Sequence, residues 1–97
     1  MLCPLPPQEF IDAVAGESTS TATHVAIGKH IHDLVVNRCR VQPGDWILDI
    51  GAGCGRAANH FMGEMTGEYH GIDIMLSMVE WCRTNISTRD PKFHFHH

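Results

Sequence analysis

Apolar residues along this chain switch between two spacings. Over residues 22–38, Ile27, Ile31, Leu34 and Val35 fall at i, i+4, i+7 and i+8. That is one face of a helix. Ahead of it, residues 1–7 are proline-rich and read as an irregular arm. "QEFIDAVAG" predicts a short helix stopped by Gly16, and "ESTSTAT" a polar loop with capping residues. "QPGD" is a turn, and "WILDI" (46–50) follows as a short continuous apolar strand. Such strands are typical of a sheet covered on both faces. Ala57, Ala58, Phe61, Met62 and Met65 then predict a helix over 55–65. "YHGIDI" supplies a strand at 69–73. Met75, Val79, Cys82 and Ile86 predict a helix over 75–87, and "KFHFHH" a strand at 92–96. The resulting β-α-β-α-β order predicts an α/β fold with a parallel sheet and right-handed crossovers.

Between the first strand and the next helix lies "GAGCG", with Gly51, Gly53 and Gly55 at alternate positions. Glycine has no Cβ, so a ligand can approach the backbone closely. The following helix offers unpaired N–H groups at its start. The spacing is GxGxG. A dinucleotide fingerprint would need its third glycine where Arg56 stands, and the phosphate-loop pattern with Gly-Lys-Ser/Thr does not occur. Asp49 sits at the carboxyl end of the first strand, where open α/β sheets bind ligands. A carboxylate there repels a pyrophosphate and attracts an amino or sulfonium cation. Asp73 ends the second strand, near the spacing of about 20 residues at which an acid binds ribose hydroxyls. Ionised Asp is acceptor-only and can take both hydroxyl protons of a diol. Capping of nearby N–H groups is the alternative role for each acid.

"ILDIGAGCGR" and "YHGIDI" resemble the first two motifs of the class I S-adenosylmethionine-dependent methyltransferases, and the resemblance runs over nearly the whole chain. It implies a three-layer Rossmann-like parallel sheet, truncated, of strand order 3-2-1, with an N-terminal helical segment. Its implied cofactor is S-adenosyl-L-methionine. Asp49 and the backbone of Gly51, Ala52, Gly53 and Gly55 would face the methionine part. Asp73 would hold the ribose, and Ile74 and Met75 would pack beside the adenine. The family's later strands, which carry substrate groups, have no counterpart here. The chain therefore reads as a cofactor-binding methyltransferase (transferase) domain, catalytically incomplete as it stands, with catalytic residues and methyl acceptor unassigned. The alternative is a non-catalytic Rossmann-like module acting by self-association or partner binding. A dehydrogenase half is a third reading, disfavoured by the GxGxG spacing and Asp49.

Composition narrows the partners. A length of 97 residues allows one domain, read as 1–97, with an arm and helices at 1–44 and the cofactor-binding half at 45–97. The formal net charge is −4 with only 7 Lys plus Arg, so nucleic acid is not an expected partner. No apolar run approaches the ~20 residues that span a bilayer, and the start does not read as a signal peptide. Cys3, Cys39, Cys54 and Cys82 are scattered without a CxxC pair, which points to free thiols in the cytoplasm. His30 and His32 do not share a helix face. His94 and His96 share a strand face but need further ligands to complete a shell, so no metal site is assigned. The first strand, apolar and uncovered on one side, predicts a homo-oligomer.

Overall fold

A computed structural model describes residues 4–16 and 18–97. Residues 1–3 of the expected arm, Cys3 included, and Glu17 of the expected loop lie outside the described residues. The described end of the arm is fastened to the domain: the Pro4 carbonyl accepts from Asn59 Nδ2 at 3.0 Å. Helix α1 (Gln8–Ala15) ends at Gly16, whose φ of 103° lies where glycine is favoured. Helix α2 (Thr21–Cys39) starts where the Ser20 hydroxyl accepts from the Thr23 N–H at 3.0 Å, a side-chain cap for an otherwise orphan donor.

Three short strands form the sheet: β1 (Ile47–Ile50), β2 (Tyr69–Ile72) and β3 (Phe93–His96). All pairings are parallel, in the order β1-β2-β3. The register sets Ile47, Tyr69 and Phe93 in one row, and Asp49, Gly71 and Phe95 two residues on. These residues share a face, because strand side chains alternate. Tyr69 and Phe93 stack at 5.0 Å, and Phe61 packs on Tyr69 at 5.6 Å. Met62, Met65, Val79, Cys82 and Ile86 complete this core, with Val35 and Val36 of α2 at its border.

The other face carries Leu48, Ile50, His70, Ile72, His94 and His96, and it is open. Leu48 is 61% exposed and Ile50 79%. Two layers of the expected three are thus present among the described residues. The continuous apolar character of "WILDI" reflects what that strand could bury, and the described residues cover only one of its sides.

The helical segments also depart from expectation. In place of a helix over 55–65 there is a single 3-10 turn, Ala58–Phe61. Met62 is extended, with ψ 133°, and Gly63 is left-handed, with φ 80°, so the helix cannot continue. Ala58, Phe61, Met62 and Met65 are still buried, since a turn followed by a bend aims the same side chains inward. Helix α3 (Leu76–Cys82) widens into a π turn at Arg83–Ser87. The Ser87 hydroxyl donates to the Phe93 carbonyl at 2.7 Å and ties that turn to β3. Met78 takes the buried place expected of Met75, which stands exposed ahead of the helix.

Candidate functional site

The loop after β1 explains its own glycines. Gly51, Gly53 and Gly55 all have positive φ, at 80°, 57° and 79°. Left-handed backbone at alternate residues costs little only without a Cβ. The Gly51 and Ala52 N–H groups both donate to the Ile72 carbonyl, at 2.8 and 3.0 Å, which pins the loop to the end of β2. A Cβ on Gly51 would meet nothing within 4 Å, so its backbone faces open space. A Cβ on Gly55 would collide with Ile86 Cδ1, so that glycine serves close packing.

The two acids are held by different partners. Tyr69, almost fully buried, donates its hydroxyl to Asp49 Oδ2 at 2.6 Å. Burial, and then the Asp49 charge, push the Tyr69 phenol far above its usual range, so it remains a donor. Asp73 accepts from the Gly53 N–H at 2.8 Å through one oxygen and from the Met75 N–H at 2.8 Å through the other. The second bond is an Asx turn that fixes Met75, the residue just ahead of α3, and α3 itself has no side-chain cap. An ionised carboxylate has about four lone-pair sites, so two remain for a ligand.

A cavity of about 440 Å3 opens at the carboxyl ends of β1 and β2, within the ~300–1,000 Å3 common for small-molecule sites. Asp49, Gly51, Ala52, Gly53, Asp73 and Met75 all line it. Gly55 lies behind it in the core, and Ile74, 90% exposed, is not part of its wall. Other lining residues were invisible to sequence reasoning. Ala13 and Val14 of α1 fold over the glycine loop, and Arg56 adds a cation to a wall that otherwise carries two acids. Arg56 directly follows the glycine run, and that adjacency was the one signal available. Cys54 within the loop and Cys82 beneath it are buried thiols. Burial raises both, Cys82 to about 12, so neither is a ready nucleophile.

Strand, left-handed loop and two acids thus surround one cavity. Residues 47–97, more than half of the chain, match the family described as "Methyltransferase domain". The chain belongs to that family. Its fold is similar to that of coclaurine N-methyltransferase, solved with N-methylheliamine and SAH, at 21% identity and a TM-score of 0.62 over 82% of this chain. It is likewise similar to SAM-bound CalS10, an amino pentose methyltransferase from Micromonospora echinaspora, at 19% identity and a TM-score of 0.57 over 96% of this chain. E. coli YjhP matches at 18% identity and a TM-score of 0.55 over 94%. The chain spans 23%, 35% and 36% of those three structures respectively. No helix among the described residues is long and apolar enough to cross a membrane.

Proposed function

We propose that this chain is the S-adenosylmethionine-binding part of a methyltransferase. The observation that carries the reading is the single cavity joining Asp49, Asp73 and the bare backbone of Gly51 and Gly53. The donor set fits the cofactor's chemistry. Asp49, held by Tyr69, faces the amino and sulfonium positive charge, and Arg56 offers a cation to the carboxylate. The Gly51–Gly53 backbone admits the methionine chain, with Gly55 fixing the loop from behind. Asp73 keeps two lone pairs for the ribose hydroxyls. Met75 supplies apolar surface to the adenine from the cavity wall, and Ile74 from its rim. When bound, the cofactor brings a sulfonium methyl that is already activated, so the protein's task is orientation. The cytoplasm is the proposed compartment, supported by free thiols at Cys39, Cys54 and Cys82.

Calorimetric titration with S-adenosylhomocysteine, with NAD as control, tests the reading. Asp73→Ala is expected to weaken S-adenosylhomocysteine by about 1.5–3 kcal/mol, the scale for a hydrogen bond to a charged group. Asp73→Asn, which keeps one acceptor oxygen for the loop, separates lost ligand contacts from lost loop order. Equal affinity for NAD, or no loss in either folded variant, would overturn it.

A second reading is favoured by a separate observation. β1 is a sheet edge with exposed Leu48 and Ile50, and a groove of about 510 Å3 runs between it and α2. An open apolar edge recruits another strand. In this reading the chain acts by association, most simply as a two-fold homodimer joined at β1. Sedimentation at low micromolar concentration should then show a dimer. A monomer in which only the β1 amides bonded to β2, such as that of Ile47, resist exchange would refute it.

A further inference from the structure

The open face of the sheet carries a second cluster, away from the cofactor cavity. His70 and His94 stand opposite each other in the β2–β3 register. Neighbouring strands lie ~4.8 Å apart, so in-register side chains on one face meet. Their rings stack at 4.7 Å. Glu68, two residues before His70, points to the same face. Its Oε1 lies 2.8 Å from His70 Nε2 and 3.6 Å from His94 Nε2. One ligand atom from each of the three residues can be chosen so that all lie within 4.8 Å of one another.

We propose that Glu68, His70 and His94 form a surface site for one divalent first-row transition-metal ion, of which Zn2+ is the representative. Ligands at ~2.0–2.2 Å around a tetrahedral ion sit about 3.3 Å from one another, and the two distances to Glu68 Oε1 bracket that value. Two imidazoles and one carboxylate are a donor set for zinc, nickel or copper, whereas magnesium and calcium demand oxygen shells. Three protein ligands leave a fourth position for water. The ring orientation is already supported. His70 Nδ1 lies 3.0 Å from His96 Nε2, so a proton held on Nδ1 leaves Nε2 free for the ion. Trp46 stacks on His70 at 5.7 Å and walls one side. Spacing along the chain shows only His94 and His96. The parallel register brings in His70 and Glu68 from another strand.

The test is calorimetric titration of the full chain with ZnCl2 in a non-chelating buffer and a phosphine reductant, with MgCl2 in parallel. Zn2+ is expected to bind at one ion per chain and to shift the imidazole proton resonances of His70 and His94. His94→Ala and Glu68→Gln, both at partly exposed positions, should each weaken it at least tenfold with the far-ultraviolet dichroism unchanged. Cys39→Ser, which removes the one exposed thiol among the described residues, should leave binding intact. Zn2+ affinity that survives both His94→Ala and Glu68→Gln, or that is lost with Cys39→Ser, overturns the proposal. So does the absence of Zn2+ binding at millimolar concentration, or Mg2+ binding as tightly as Zn2+.

Discussion

The two faces of one small sheet have opposite fates. On the covered face Tyr69, Phe93 and Phe95 are buried under Phe61, Val79 and Ile86. On the open face Leu48 and Ile50 stand in solvent beside three histidines. Both faces draw on the same three strands and the same register. Only the covered one receives the 3-10 turn, α3 and the π turn, so stability concentrates there and the other face is left for contact. A strand's apolar content states what it can bury. What it does bury depends on which other elements the chain supplies.

Truncating the covered face should have the largest effect. Phe93→Ala removes a buried ring from the Tyr69 stack and is expected to cost about 3–5 kcal/mol, as for other buried aromatic truncations. For a domain whose whole stability is of order 5–15 kcal/mol, urea unfolding should register a much lower midpoint or outright loss of the folded state. A Phe93→Ala chain as stable as its parent would mean that the covered face is not the seat of stability.

The contrast has an ionic form as well. His24 is buried in the helical layer, and neither ring nitrogen finds a hydrogen-bond partner among the described residues. Burial first, then Arg56 and His60, hold its pKa below the ordinary imidazole value. His60 is lowered too, by burial first and then by His32 and Lys29. Groups depressed on folding give stability that is present above the unfolded pKa of ~6.5 and lost as pH falls through the folded pKa. His32 runs the other way. Burial pulls it down, but its bonds to Asp33 and Glu64 outweigh that and raise it, so its contribution is present below pH ~6.5 and lost as pH rises. Between pH 7.5 and 5 the His24 and His60 contributions therefore fall, and the His32 contribution rises. His24→Leu should remove the first of these from the pH dependence of the urea midpoint, and an unchanged acid limb in the variant would remove His24 from the account.

The smallest effect is expected on the open face. Leu48→Lys should change monomer stability by no more than ~0.5 kcal/mol, as exposed substitutions do, while weakening any association through β1. A large loss of stability, read at a concentration where the chain is monomeric, would show that Leu48 is packed against something.

Local chemistry made the glycine loop legible. A run of alternating left-handed residues favours glycine, and the acids sit at strand ends that hydrophobic patterning already delimits. The 3-10 turn at Ala58–Phe61 was hidden because the stripe from Ala57 to Met65 fits a helix as well as a turn followed by a bend. Gly63 was the one residue that decided between them. The bond from Tyr69 to Asp49 depends on strand register, and the cover of Ala13 and Val14 on how α1 docks. Neither leaves a trace in spacing along the chain. The Glu68–His70–His94 cluster was hidden for the same reason, since its members meet only across two strands.

Asp73 has a consequence beyond ligand contact. Its two oxygens splint the glycine loop to the start of α3, so the carboxylate that would receive a diol already maintains the fold. Occupancy and order then become one thermodynamic quantity. A ligand that prefers the splinted loop at a hundred times its dissociation constant adds about 2.7 kcal/mol to unfolding, visible as a thermal shift. By the same coupling, substitutions along α3 that never touch the ligand become tuners of its affinity, because whatever frays the helix start also slackens the acid.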